Sequence, residues 1–196
     1  MAWDTEGTRR RLKEAAKAEF AERGLDGTTM TRIAEHAGIN KERLYNYYGD
    51  KLALWEVVLT EELERLATAV RLSGAGLNDI GEFAGATYDY HAEHPELGRL
   101  LQWEGLSRKA AADAARRSAH YREKVQQFTQ AQRDGILDPS LDPAHLVFGL
   151  IALAAWWQTV PQLAEMITGA QGDDVKEHDR RRTFVVDAAR RLAAAR

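Results

Sequence analysis

The chain has 196 residues, a formal net charge of −3 and no cysteine, with 44% apolar and 29% charged residues. These values describe a folded globular chain long enough for one or two cores, and they exclude disulfides, thiolate nucleophiles, iron–sulfur clusters and cysteine-bound zinc. The longest apolar run, Leu146 to Trp157, is 12 residues where a membrane span needs roughly 20, and no basic stretch followed by an apolar one opens the chain, so a cytoplasmic protein with no membrane partner is expected.

Alanine (32) and leucine (21) outnumber valine and isoleucine together (15), and proline occurs only at 95, 139, 143 and 161. Strong helix formers without a β-branched excess predict an all-α protein of about nine helices. Leu12, Ala15, Ala16 and Phe20 make a helical stripe over residues 8–23, which Gly24 and Gly27 stop. Thr28-Thr29 caps a second helix over Met30 to Ala37, Gly38 breaks it, and Asn40 caps a third that reaches Tyr47 or Tyr48. After Gly49-Asp50 a long helix carries Leu52, Trp55, Leu59, Leu63, Leu66 and Val70 on one face. Ser73-Gly74-Ala75-Gly76 reads as a linker. The next helix holds Ile80, Phe83, Thr87 and His91 and stops at His94, and Pro95 opens a short one ending near Glu104 to Leu106. Residues 107–133 read as one long helix. Asp142-Pro143 starts a helix, 143–160, that is apolar nearly all round; Pro161 ends or kinks it. A loose stretch with Gly169, Gly172, Asp173 and Asp174 precedes a last helix over 178–195.

Within residues 29–48 the spacing fits a helix-turn-helix. Two short helices crossing steeply need a small residue in the first, supplied by Ala34, and a glycine in the turn, supplied by Gly38. Ile33, Ile39 and Leu44 are placed to pin the pair together. A plain helical hairpin would use the same small residues. The flanks are more specific: Ala15-Ala16-Lys17-Ala18-Glu19-Phe20-Ala21-Glu22-Arg23-Gly24 resembles the first helix of the tetracycline-repressor (TetR) family of bacterial regulators. Thr29-Met30-Thr31-Arg32-Ile33-Ala34-Glu35-His36-Ala37-Gly38-Ile39 is similar to that family's second helix and turn. Leu44-Tyr45-Asn46-Tyr47-Tyr48-Gly49-Asp50-Lys51 resembles its recognition helix and the start of its fourth helix. The chain departs from the family at Glu42-Arg43, where a small residue and Ser or Thr are common, and at Tyr47-Tyr48, where His-Phe is common.

The resemblance implies a reading domain over residues 1–51 and an effector-binding and dimerisation domain over 52–196. It implies phosphate contacts at Tyr45, Tyr47 and Lys51, whose hydroxyl and ammonium groups suit phosphate oxygens. Thr29 at a helix N-terminus is a further phosphate contact, and Arg32 either reaches a phosphate or pairs with Glu35. Lys41, Arg43 and Asn46 are the candidates for base edges, since Arg suits guanine and Asn suits adenine in the major groove. Glu42 reads as a solvated surface residue, with cytosine recognition as the alternative.

Residues 77–196 carry no phosphate-cradling glycine loop, nucleophile elbow or His-Glu-x-x-His zinc motif, and no cofactor or metal is expected. His91-Ala92-Glu93-His94 falls at a helix end and reads as favourable terminal histidines. The aromatic density there fits core packing or an apolar pocket with a few polar groups. Tyr88, His91, Trp103, His120, Trp156 and Gln158 are the candidate wall of a site for a small apolar or aromatic effector, a highly charged ligand being disfavoured for want of unpaired charge. Helix 143–160 and a stripe of Phe184, Val185, Ala188 and Leu192 are expected to pair two subunits, with Ala152, Ala188 and Ala189 at close approaches. The expected function is a DNA-binding transcriptional regulator, a homodimeric repressor released from a palindromic operator by its effector. The alternatives are a regulator answering to a protein partner and a helical-bundle enzyme using His91, His94 and Glu104.

Overall fold

The computed structural model describes residues 5–107, 111–170 and 174–195. Among them the secondary structure is ten α-helices and one isolated bridge between Leu137 and Ala194. The helices are α1 (Thr5–Gly27), α2 (Met30–Ala37), α3 (Lys41–Tyr48), α4 (Lys51–Ala69) and α5 (Leu77–Glu93). They continue as α6 (Pro95–Ser107), α7 (Ala114–Arg133), α8 (Pro143–Thr159), α9 (Pro161–Thr168) and α10 (Val175–Ala193). The expectation of about nine helices missed α9, because Pro161 restarts a helix in its first turn instead of only ending one. α8 and α9 meet at 88°, and among the described residues no single helix is long and apolar enough to cross a membrane.

Three boundaries differ from the sequence reading. α7 starts at Ala114, not at 107, after a turn in which Asp113 takes φ 46°; residues 108–110 of the expected helix lie outside the described residues. α10 starts at Val175, ahead of 178, because the Asp174 side chain accepts from the Lys176 N–H at 2.9 Å; Gly172 and Asp173 of the loose stretch lie outside the described residues. α1 resumes beyond a kink and runs to Gly27, with Gly24 at φ 68°, ψ 179° breaking it where the glycines predicted a stop.

The described residues form two compact units, the first made of residues 1–65 and 96–114, the second of 66–95 and 115–196. This division differs from a break at residue 51, and the ion pairs on α4 give the reason. Lys13 meets Glu61 at 2.6 Å, Lys17 meets Glu62 at 3.7 Å and Arg65 meets Glu14 at 3.8 Å, so α4 is latched to α1 as far along as Arg65. Phe20 and Trp55 add an edge-to-face contact at 5.2 Å, a geometry favoured by the ring quadrupoles. Part of α6 joins the same unit, where the Trp103 indole N–H donates to the Ala21 carbonyl at 3.3 Å.

The second unit is held by apolar packing. Ile80, Ala84 and Tyr88 of α5, Phe128 of α7, Leu146 and Leu150 of α8 and Val185 and Ala189 of α10 share one buried cluster. α5 and α10 approach closely because Gly81 and Gly85, one turn apart, present no side chain there. A β-carbon on Gly85 would lie 2.8 Å from Val186 Cγ2, and one on Gly81 would lie 2.6 Å from Arg190 Nε. Asp89 then accepts from Arg182 at 2.7 Å and contacts His178 at 3.2 Å, tying the same two helices electrostatically. Gly85→Leu should therefore destabilise the protein by about 1–3 kcal/mol, overpacking outweighing the gain in helix propensity; a lower urea midpoint at unchanged slope is the expected reading.

Candidate nucleic-acid interface

The turn between α2 and α3 is built from local rules. The Thr29 hydroxyl accepts from the Arg32 N–H at 3.2 Å and opens α2. Gly38 at φ 62°, ψ 38° closes it, with Gly38 N–H donating to Glu35 O and Ile39 N–H to Ala34 O, each at 3.0 Å. This double closure needs a left-handed residue, which glycine adopts without strain. Asn40 Oδ1 then accepts from the Glu42 N–H at 2.7 Å and starts α3. Ile33, Ala34 and Leu44 are buried between the helices, as the spacing predicted, and Ile39 is half-buried.

α3 turns Leu44 inward and leaves Lys41, Glu42, Tyr45 and Asn46 exposed along the opposite edge. Arg43 and Tyr47, one turn apart, are half-buried at its flank. Lys41 Nζ sits 5.7 Å from the Tyr45 ring centre and the Arg9 guanidinium 5.0 Å from that of Tyr47. Thr29 and Arg32 are exposed at the start of α2. Lys51 is half-buried, and its ammonium donates to the Thr28 carbonyl at 2.8 Å. It clamps the start of α4 to the turn before α2 and keeps two further donors. Arg32 pairs with Glu19 at 3.3 Å, not with Glu35.

Two residues that the sequence reading did not single out hold this surface in shape. Glu19, 7% exposed, accepts from Thr28 Oγ1 at 2.9 Å and Arg32 Nε at 3.3 Å and contacts His36 Nδ1 at 3.4 Å. Burial works to raise its pKa, but the hydrogen bonds of Thr28, Arg32 and His36 outweigh burial and hold the carboxyl below its ordinary value of 4.5. Arg11 donates to the Ala37 carbonyl at 2.7 Å and so caps α2 from α1. Only one signal for Glu19 exists in the sequence: it lies among Ala15, Ala16 and Phe20 on the buried stripe, an uncommon place for a carboxylate without partners.

The candidate effector residues fall in several environments. Tyr88 and His91 of α5 are buried, Tyr88 with its hydroxyl unpaired among the described residues. Burial pushes the His91 pKa below 6.5, with His94 adding to the effect. His120 and Gln158 are half-buried, while Trp156 is 56% exposed. Trp103 belongs to a pocket of the first unit whose walls are α1, α4 and α6. A residue not anticipated is Lys124 of α7, 8% exposed, 5.0 Å from the Phe83 ring centre and without an acid in ion-pair range among the described residues. Burial lowers its pKa. Of the expected pairing stripe, Val185 and Ala189 are buried in their own subunit's core, whereas Phe148, Ala152, Trp156, Phe184 and Leu192 face outward. Of the residues of the enzyme reading, the His94 ring lies 4.2 Å from that of Tyr90 at a tilt of 40°, and Glu104 accepts from the Ala112 N–H at 2.8 Å. The described residues contain no group of three His, Asp or Glu side chains placed to hold a metal.

Residues 12–58 match the model of bacterial regulatory proteins of the tetR family, and residues 79–191 match the tetracyclin repressor-like C-terminal domain. The chain is 38% identical over 193 residues, 97% of each chain, to the HTH-type transcriptional repressor SCO4008 of Streptomyces coelicolor. It is 29% identical to the HTH-type transcriptional regulator RutR of Escherichia coli over 81% of this chain and 77% of that one. Among solved structures, SCO4942 of Streptomyces coelicolor superposes with a TM-score of 0.80 at 33% identity, covering 95% of this chain and 98% of that one. A TetR family transcription regulator of Marinobacter aquaeolei gives 0.77 at 20% identity over the whole of both chains, a likeness of fold.

The Glu19 network sets an acid limit. Because its folded pKa is lowered, its contribution is fully present above 4.5 and is lost as pH falls through the lower folded value. Glu19→Gln should cost about 1–3 kcal/mol at pH 7, the worth of charge-assisted hydrogen bonds. Urea midpoints of variant and parent should converge below pH 4.5.

Proposed function

The chain belongs to the TetR family of bacterial regulatory proteins and is a DNA-binding transcriptional regulator, and we propose that it is a cytoplasmic repressor that holds a palindromic operator as a homodimer and releases it on binding a small effector. The observation that carries this reading is the exposed edge of α3, where Lys41, Tyr45 and Asn46 project from a helix fixed at both ends. Lys41 and Asn46 read base edges, and Thr29, Arg32, Tyr45, Tyr47 and Lys51 hold phosphates. Arg43, half-buried at the flank, reaches the base edge nearest Tyr47. Operator contacts end at Lys51, and residues 52–196 capture the effector and pair the subunits.

Pairing is supported by apolar surface that a single subunit leaves in water. Phe148 is 73% exposed, Trp156 56% and Phe184 54%. Such a patch on a soluble chain marks an interaction surface. Trp156 therefore belongs to the pairing surface and not to the effector site.

The effector site is centred on Tyr88 and His91, with His120 and Gln158 as further polar groups and Lys124 added. The buried Tyr88 hydroxyl, without a hydrogen-bond partner among the described residues, supports it, since such a group normally has one. An aromatic or largely apolar molecule with one hydrogen-bond acceptor fits this composition. α4 runs from Lys51 in the first unit to Ala69 in the second and is the lever: an effector that prefers the wrong spacing of the two reading heads weakens operator binding by the factor with which operator weakens effector.

Selection of bound sites from random DNA should yield a palindrome with half-sites about one helical turn, or a multiple, apart; unrelated, unpaired sites would defeat the reading. Phe148→Asp should leave helical circular dichroism intact, sediment as a monomer at micromolar concentration and lose operator binding. Tyr88→Phe should be neutral or stabilising by up to about 1 kcal/mol without effector, because it removes an unsatisfied buried hydroxyl. It should nevertheless blunt effector-driven release of the operator in a gel-shift titration.

A further inference from the structure

The inner side of α7 is formed by Lys124, Phe128 and Ala131, each about one turn from the next and all three buried. This is the spacing of a helix stripe that faces a core. Phe128 and Ala131 are apolar and belong to the buried cluster of the second unit. Lys124 holds the same kind of position with an amine. A lysine at the edge of a core ordinarily carries its ammonium out to water on a flexible stem. This one keeps only 8% of its surface exposed.

The surroundings offset little of that cost. The face of Phe83, itself buried, lies 5.0 Å from the amine and attracts a cation less strongly than a carboxylate would. Glu123, the preceding residue, is exposed; its charge acts on the amine, but the two make no ion pair among the described residues. His120, one turn earlier and half-buried, brings no anion. Burial and the charge of Lys124 hold its pKa below 6.5, so at neutral pH it is an uncharged ring with one N–H to donate. Burial lowers the pKa of Lys124 in the same way. A buried ammonium without a counter-ion either gives up its proton or acquires an anion.

We infer that the effector is an aromatic monocarboxylate whose carboxylate accepts from Lys124 Nζ, with the His120 ring as a second donor. The inference rests on the reading of residues 52–196 as the effector-binding part, and it narrows that reading from an apolar molecule with an acceptor to an acid. The neighbours of the amine set the rest of the molecule. Phe83 lies against it and Phe128 follows one turn along α7, so an aromatic body suits the space beside the charge. One amine balances one negative charge, which favours a carboxylate over a phosphate dianion. An ionised acceptor also makes a stronger hydrogen bond to an ammonium than a neutral hydroxyl does, so an acid is preferred to the alcohol of the same shape. The acid supplies the counter-ion that the fold leaves out.

Two measurements on the full chain test this. Lys124→Met keeps the length of the side chain and removes the charge. Without ligand it should raise the urea midpoint, because an uncompensated charge leaves the core; a midpoint that fails to rise shows an amine already compensated and overturns the inference. Calorimetric titration then compares benzoate, phenylacetate and 3-phenylpropionate with the alcohols of the same skeletons. The best acid should bind about tenfold or more tighter than its alcohol, and Lys124→Met should weaken that acid about ten- to hundredfold, the range for hydrogen bonds to a charged group, and the alcohol far less. Failure of all the acids to bind, equal binding of acid and alcohol, or an equal loss of both in the variant overturns the acid. The bound acid should also release the operator in a gel shift. Release by the alcohols alone overturns the acid and keeps the effector reading. Binding of an acid through Lys124 that leaves the operator in place defeats the effector reading and keeps the acid site.

Discussion

Glu19 gathers, inside the first unit, the hydroxyl of Thr28, the guanidinium of Arg32 and the imidazole of His36. Those partners stand before, near the start of and near the end of α2, so one carboxylate fixes the helix along its length against α1. A buried carboxylate without partners would be costly, and here its desolvation is offset by several donors at once. The remaining latches extend the same arrangement: Arg11 caps α2 at Ala37, Tyr48 reaches Arg9 O at 3.3 Å, and Lys51 holds the Thr28 carbonyl. The surface offered to DNA is thus shaped by polar contacts made behind it.

The second unit works by different physics. Its buried cluster is aliphatic and aromatic, and Gly81 and Gly85 let α5 and α10 close on each other. Polar groups inside it are few and specific. Glu177 and Arg181 form a buried pair at 2.8 Å, with Arg181 also donating to Ala170 O at 2.8 Å and lying 5.2 Å from the Trp157 ring centre. That pair is satisfied on several sides, which is what a buried ion pair requires. Tyr88 of α5 and Lys124 of α7 are left without such partners among the described residues.

A latched head and a packed body suit a regulator differently. Losing one donor of a polar latch leaves its acceptor unpaired, so the latches of the first unit hold together as a group. A close-packed body transmits small displacements without absorbing them.

Much of the fold was legible in the residues. Helix starts and stops at Thr29, Gly38, Asn40, Pro95 and Asp142 depend on capping chemistry confined to a few neighbours, and the structure places them where the spacing predicted. The inward place of Leu44 on α3 followed from the spacing of a helix-turn-helix, and the structure buries it. Other features needed the third dimension, because they depend on which distant groups meet. Nothing local says that Glu19 will meet Arg32 and His36 while Glu35 stays exposed, or that Ala189 is buried while Ala152 is exposed on similar alanine-rich helices. Trp103 read as part of an effector wall with Tyr88, yet it packs on Gly24 because a break in α1 opened bare backbone to it. Periodicity and caps are short-range consequences of backbone geometry and belong to the sequence by itself. Partner choice among charged and aromatic side chains is settled by packing between segments far apart in the chain, and only the tertiary structure decides it.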